Sequence, residues 1–535
     1  MVGSASIGLM ATLAAIPKRP LAPVRTPGYR TTAYQIAVIA LIGAPLFYGA
    51  VRAFPLWDDG WLAMLTKESG SAILSQTMPD RPLMGQICAF VVRLAPSPPG
   101  LVAISLGFWF TLAFQAGLIW RRIFPSLEHY APVVSCLCLS PVVVQAQYCT
   151  LLVSVPCVLT AVLSYGSSLC AIRFASPAVR FRLPALILGV GLLIAGVLIS
   201  EYAVAASLSG LAIQALLLVR STGPDRRRLR TTLILFAAVT AISYLVFLRI
   251  TDSTYRPDVN PAQAGLTLRR HLPVLATDLV TGIWHTVLGA YATVAGMLGI
   301  YWDSRSTILG VALGALAAFL LWRACRPGAR NESAISPAAV AGLLAALLAA
   351  LIPVVMMGRS TNLPGFGSRF LIPALPVATA LTLTLALTLF RKSHIWAVVT
   401  AFGMIAGYAA VTQSSTLIHQ RDLAASLGGS LRPYIDSEAG DTVAVASVNG
   451  MDYELTARAA AAWPSNLEKR LWIYDYDAGT KAFGERTACP AAPQIHKSLR
   501  RLTREGPVAR LLWLEIRGER LVSVEPYCTT PEPIR

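Results

Sequence analysis

Charge is scarce in this chain: only 13% of its 535 residues are charged, against 55% that are hydrophobic. An ordinary soluble domain carries about twice that share of charge, so the composition excludes a wholly soluble chain and places most of it in lipid. Acids are the scarcer sign, 27 Asp and Glu against 45 Lys and Arg, for a formal net charge of +18. Such an excess can mark a nucleic-acid binder. Here the basic residues stand in compact clusters between apolar runs, the pattern of cytoplasmic loops in a polytopic membrane protein, and nucleic acid is not an expected partner. The apolar stretch Ser6–Ile16 is short, and basic residues follow it instead of preceding it, so it does not read as a cleaved signal peptide. Mid-span ionisable residues and an internal repeat, the marks of a transporter or flippase, are missing as well. A ring-like polar filter is absent too, which disfavours a channel.

What the chain has in abundance is apolar runs, each long enough to cross roughly 30 Å of hydrocarbon. They fall near 34–54, 101–120, 132–148, 151–172, 184–200, 203–219, 231–249, 306–322, 336–357, 370–390 and 394–414. With the N-terminus inside, Arg121/Arg122, Arg173/Arg180/Arg182, the run from Arg220 to Arg230, Arg323/Arg326/Arg330 and Arg391/Lys392 all fall on the cytoplasmic side. The stretch Leu272–Tyr301 is apolar enough to tempt one more crossing, which would put the last two clusters outside. It is therefore expected as helices lying on or dipping into the outer face, within a long outer loop 251–305.

The expected architecture is an all-α polytopic membrane protein of about eleven transmembrane helices with a small C-terminal α/β domain in the periplasm. Residues 1–30 form a cytoplasmic tail, 31–418 the membrane domain with outer loops 55–100 and 251–305, and 419–535 the outer domain. In the last region Thr442–Ser447, Leu511–Ile516 and Leu521–Val524 read as strands, and Tyr453–Trp463 as an Ala-rich helix ended by Pro464. It carries Cys489 and Cys528, which can pair as a disulfide in an oxidising periplasm or stand as two buried thiols.

The most informative local feature is Asp58-Asp59, in Phe54-Pro55-Leu56-Trp57-Asp58-Asp59-Gly60-Trp61, directly after the first span. Adjacent carboxylates where a helix leaves the bilayer are costly to desolvate, and Trp57 and Trp61 bracket them at the interface where such rings settle. Acids at a membrane surface also simply face water. Carboxylates held at headgroup level suit chemistry on a lipid-linked substrate. Downstream come Pro79-Asp80-Arg81-Pro82-Leu83-Met84-Gly85, a second span ending in Arg121-Arg122, and late in the chain Gly367-Ser368-Arg369-Phe370-Leu371-Ile372-Pro373-Ala374-Leu375-Pro376.

This ordered set resembles the GT-C superfamily of membrane glycosyltransferases, which includes protein O-mannosyltransferases, the aminoarabinose transferases of lipid A and O-antigen glucosyltransferases. The resemblance covers roughly residues 30–415. It implies an enzyme of the bacterial inner membrane that moves a sugar from a polyprenyl-phosphate donor to a hydroxyl of an envelope glycan, lipid or protein on the periplasmic face. The chain departs from some members. It has no Trp-Trp-Asp-x-Gly signature, which argues against an oligosaccharyltransferase, and Phe370 stands where Tyr is commoner. Its outer loops hold no Asp-x-Asp (Asp475-Tyr476-Asp477 lies in the C-terminal region), so a metal-independent transferase without a cofactor is expected. An O-antigen ligase or polymerase would also be polytopic with outer Arg and His, but leaves Asp58-Asp59 unexplained.

The resemblance gives Asp58 the role of general base, worth roughly 10²–10⁴ in rate, with Asp59 orienting the acceptor or raising its neighbour's basicity. The order of these two roles stays open. Phosphate leaves readily, so no acid partner is needed. Cations at the outer headgroup level would bind the donor phosphate, and Arg81 and Arg369 are the candidates. Arg269, Arg270 and His271 stand behind them, equally suited to anionic membrane lipids. Glu201, in the tight outer turn Ile199-Ser200-Glu201-Tyr202, reaches the sugar or an Arg, or is a plain interfacial acid.

Overall fold

The computed structural model describes residues 28–53, 81–141, 150–176, 182–251, 275–299, 303–326, 335–356, 366–390, 392–435, 441–447, 471–475, 508–517 and 520–526. Among these are ten helices long and apolar enough to cross a membrane, and the chain is a multi-pass membrane protein. Each matches an expected span. In chain order the helices are α1 (Tyr29–Arg52), the short α2 (Pro82–Leu94), α3 (Pro98–Ile123), α4 (Ala131–Leu139) and α5 (Ser154–Ala175). There follow α6 (Arg182–Ile199), α7 (Tyr202–Arg220), α8 (Gly223–Thr251) and α9 (275–299). Last come α10 (Ser304–Cys325), α11 (Pro337–Met356), α12 (Leu375–Leu389, entered through the 3-10 turn Phe366–Ala374) and α13 (Lys392–Ile435).

Local chemistry sets the helix limits. At α3 the Ser97 hydroxyl accepts the Gly100 N–H (3.4 Å), prolines open the first turn, and Arg121 and Arg122 sit in the last turn, where cations favour the helix dipole. Asp303 caps α10, one carboxylate oxygen accepting the Ser306 N–H (2.7 Å) and the other the Ser306 hydroxyl (2.8 Å). These bonds hold its carboxyl below the usual range.

Close packing supplies the association energy that hydrophobicity cannot supply between helices in lipid. The seam between α10 and α13 is close because glycines line it from both sides: Gly314 meets Gly407, Gly403 meets the Ala317–Ala318 backbone and Gly310 meets the Tyr408 ring. A Cβ on Gly407 would fall 2.7 Å from the Gly314 Cα, and one on Gly314 would fall 2.6 Å from the Met404 carbonyl oxygen. At the next level Ser415 donates to Ser306 (2.9 Å), and the Ser414 backbone lies against Gly49 of α1.

Contacts at the helix termini define two ends of the bundle. At one, Arg121 of α3 donates to Thr32 (3.2 Å) and Gln35 (2.8 Å) of α1, Arg220 donates to the Ile123 carbonyl (2.8 Å), and the Cys325 thiol approaches the His129 carbonyl (3.8 Å). At the other, Met84, Cys88 and Val91 of α2 pack with Leu101, Leu151 and Ile199, while Phe90 and Leu94 stay exposed, the pattern of an interfacial helix. Residue 29 and Arg121 therefore share one end, and Arg81 and His419 share the opposite one.

Three expectations need correction or narrowing. The run 132–148 was expected as one long helix, but among the described residues it contains only α4, whose helix stops at Leu139 and yields to a 3-10 turn at Ser140-Pro141. Proline lacks the N–H that would bond to residue 137 and clashes with its carbonyl. The chain still passes from one end at Ala131 to the other at Leu151. Second, of the two placements expected for Leu272–Tyr301, lying on a face or dipping into it, the described residues 275–299 take the dipping one. The Thr382 hydroxyl donates to the Val287 carbonyl (3.0 Å), and Tyr291 meets Phe402 edge-on at 6.1 Å, both near mid-span. Its flanks nevertheless return to one end: Phe247 packs with Val197 and Ala203, and Ser306 bonds Ser415, so 251–303 gives no net crossing. Third, the helix expected to end near 414 continues as α13 to Ile435, beyond the expected domain boundary at 419.

Four strands follow: β1 (Asp441–Ser447), β2 (Leu471–Asp475), β3 (Val508–Arg517) and β4 (Arg520–Pro526), in the sheet order β2-β1-β3-β4. β1 pairs parallel to both neighbours, and β3 pairs antiparallel to β4. The segment 453–463, expected as a helix, lies outside the described residues.

Candidate functional site

The Arg81 end gathers three polar side chains from segments distant in sequence. Arg81 stands just before Pro82, whose fixed φ opens α2. Glu201 occupies the two-residue turn that joins α6 to α7, and Arg369 lies in the 3-10 turn leading into α12. Tyr165 of α5 anchors that turn, its hydroxyl lying 2.6 Å from the Pro373 carbonyl and 3.0 Å from the Ser209 hydroxyl.

Arg81 and Glu201 form a forked ion pair. Nη2 donates to Oε1 at 2.5 Å and Nε to Oε2 at 3.2 Å. The Ser200 hydroxyl also donates to Oε2 (3.1 Å). The Glu201 side chain is 7% exposed and that of Arg81 21%. Burial pushes the Glu201 carboxyl up, but the Arg81 charge and its hydrogen bonds, with help from the backbone and Ser200, outweigh burial and hold it below the ordinary 4.5.

Two rings tilted against each other connect this pair to the second arginine. The Arg81 guanidinium lies over Tyr202 at 5.3 Å, Tyr202 meets Phe370 at 5.3 Å between centroids, and the Arg369 guanidinium lies over Phe370 at 4.9 Å. Both rings are buried. Aromatic faces hold a guanidinium without consuming its N–H donors, so these ring contacts help to orient both cations. Buried Cys157, in the π-helical turn Ser154–Leu159 at the start of α5, lies within electrostatic reach of Arg369, Arg81 and Glu201. π turns are commonly found at functional sites.

Of the residues singled out in the sequence, Arg81, Glu201 and Arg369 thus stand together. Asp58, Asp59, Arg269, Arg270, His271, Cys489 and Cys528 lie outside the described residues. The sequence reading passed over Tyr202, Ser200, Tyr165 and Cys157. Pro156 inside an apolar run was the available signal for a disturbed turn at Cys157. Among the described residues no three His, Cys, Asp or Glu gather as metal ligands. Chemically, the arrangement offers a pair of guanidinium groups, one bearing a carboxylate, at one end of the helix bundle.

Compared with known proteins, the chain matches no family model, no curated protein and no solved structure.

Proposed function

We propose that this chain is an integral-membrane glycosyltransferase of the GT-C type, which moves a sugar from a polyprenyl-phosphate donor to a hydroxyl of an envelope glycan, lipid or protein. The observation that supports it best is the convergence of Arg81 and Arg369 on the touching rings of Tyr202 and Phe370, at the bundle end where α1, which precedes Asp58-Asp59 in the sequence, terminates. In this reading Asp58 takes the proton of the acceptor hydroxyl as its oxygen bonds to the sugar's anomeric carbon. The bond from that carbon to the phosphate oxygen breaks, and the arginines stabilise charge on the departing polyprenyl phosphate. Asp59 orients the acceptor.

The Arg121 end, with Arg122, Arg173, Arg182, Arg220, the run Arg226–Arg230, Arg323 and Arg326, is the cytoplasmic one by the positive-inside rule. The site, the end of α13 and the C-terminal α/β domain are then periplasmic, in a bacterial inner membrane. The test is transfer by purified protein from a polyprenyl-phosphate sugar to a hydroxyl acceptor, with Asp58→Asn as control. Transfer by wild type and none by the variant is expected. Equal turnover of the two, or lipid movement across vesicles without transfer, would overturn the assignment.

A further inference from the structure

The parallel helices α3 and α5 lie side by side on their way to the Arg121 end of the bundle. The Gln115 side-chain amide donates to the Val162 carbonyl (3.0 Å), and a Cβ on Gly166 would fall 3.1 Å from the same Nε2. Two helical turns beyond Gln115 and Gly166 stand Arg122 and Arg173. Between these levels Leu118 of α3 and Leu169 and Cys170 of α5 are only half-buried, so an apolar, lipid-facing strip ends at two arginines.

Arg122 is itself half-buried, with Arg121 and Arg173 within electrostatic reach. Among the described residues neither the Arg122 nor the Arg173 guanidinium has a hydrogen-bond or carboxylate partner. The described acids of this end are engaged elsewhere: Glu128 lies near Arg121, and Asp225 is 3.9 Å from Arg228. The tail 1–27 and the link 177–181 contain no acid, and 327–334 brings one, Glu332. Two further polar atoms are buried with no partner among the described residues: Nε of Arg121, a residue 8% exposed, and the hydroxyl of Ser176, which ends α5 and is 2% exposed. A helix C-terminus favours one cation, but neighbouring guanidinium groups repel. A phosphate between them would offset that repulsion and match both forks.

We infer that the α3–α5 seam binds the phosphate of an anionic phospholipid in the leaflet at the Arg121 end. Arg122 and Arg173 hold the phosphate, Ser176 and the Arg121 Nε are the further donors, and an acyl chain lies along Leu118, Leu169 and Cys170. This is independent of glycosyl transfer.

The test is retention of phosphatidylglycerol and phosphatidylcholine by the purified full chain, released from mixed micelles and read by native mass spectrometry. Wild type is expected to retain phosphatidylglycerol in preference to phosphatidylcholine; no preference overturns the inference. Arg122→Gln/Arg173→Gln is compared with Arg226→Gln/Arg227→Gln, which removes the same charge from exposed positions of α8 at the same end. Both pairs lose the general attraction of a basic surface for anionic lipid. The seam pair is expected to weaken phosphatidylglycerol by a further tenfold or so, the usual worth of a charge-assisted contact. Equal losses in the two pairs would mean surface attraction alone and overturn the site. Inorganic phosphate that displaces the lipid at equal concentration would make the ligand a soluble anion and overturn the lipid assignment. Arg173 is exposed, so if the double variant fails to fold, Arg173→Gln against Arg227→Gln gives the same comparison.

Discussion

Removing Arg81 strands a buried carboxylate, and the consequence can be worked out before measurement. In Arg81→Met the Glu201 carboxylate, 7% exposed, keeps the Ser200 hydroxyl but loses both guanidinium bonds. Breaking a buried ion pair from one side costs about 3–5 kcal/mol. Arg81 is 21% exposed and water can partly replace it, which places the cost near the lower limit, about 3 kcal/mol. Glu201→Leu leaves the arginine near solvent and should cost less. Arg81→Met/Glu201→Leu should lie within about 1 kcal/mol of wild type, so the coupling energy should reach about 2 kcal/mol. The pH dependence should also change sign. In wild type the Glu201 carboxyl is held below 4.5, so its stabilisation is present above that value and fades as pH falls through the folded-state value. In Arg81→Met burial acts without the opposing charge and raises the carboxyl above its unfolded value, so stability is fullest in acid and declines as pH rises. Equilibrium unfolding in mixed micelles between pH 5 and 8 should show a nearly flat wild type and a falling variant. Additive single variants, or parallel pH profiles, would refute the buried-pair account.

Asp58→Asn should abolish transfer while expression and folding persist, with Asp59→Asn impaired by a smaller factor; in vitro turnover decides. Arg369→Ala should weaken the polyprenyl donor about tenfold to a hundredfold, the usual worth of one charge-assisted contact, and Arg369→Lys should recover only part; donor titration at fixed acceptor reads this, and the acceptor's apparent affinity should stay constant. Gly407→Val should break the α10–α13 seam, since its Cβ would already collide with the Gly314 backbone, and should lower the unfolding midpoint more than Gly107→Val, where a Cβ meets nothing within 4 Å. A periplasmic reporter fused after Gln420 should be active, and one fused at Lys392 inactive.

Much of the membrane fold is legible in the sequence because lipid forces every long apolar run to bond its own backbone, so length and polarity specify a helix without knowledge of neighbours. That logic fails where the chain is shielded by protein. At Ser140-Pro141 a run of crossing length breaks its helix, and 275–299 reaches mid-depth because Thr382 and Phe402 surround Val287 and Tyr291, a fact no local window contains. Glu201 stands out in the sequence as an outer turn acid, but its partner is 120 residues away, and only the packing of α2 against the α6–α7 turn supplies it. The ring contact is hidden for the same reason: in the sequence Phe370 is only the residue standing where Tyr is commoner, and nothing local links it to Tyr202.

The glycine seam also bears on mechanics. Where α10 and α13 touch backbone to backbone, no side-chain rotamer can yield, so displacement of one helix is transmitted almost whole to the other. α13 continues beyond His419 to Ile435, roughly 24 Å of helix at 1.5 Å per residue, before β1 begins at Asp441. The strands are thus mounted on the far arm of a lever whose fulcrum lies inside the bundle. A load on the sheet would tilt α10 with it and bear on Ser306 and Asp303, at the same end of the bundle as the arginine pair.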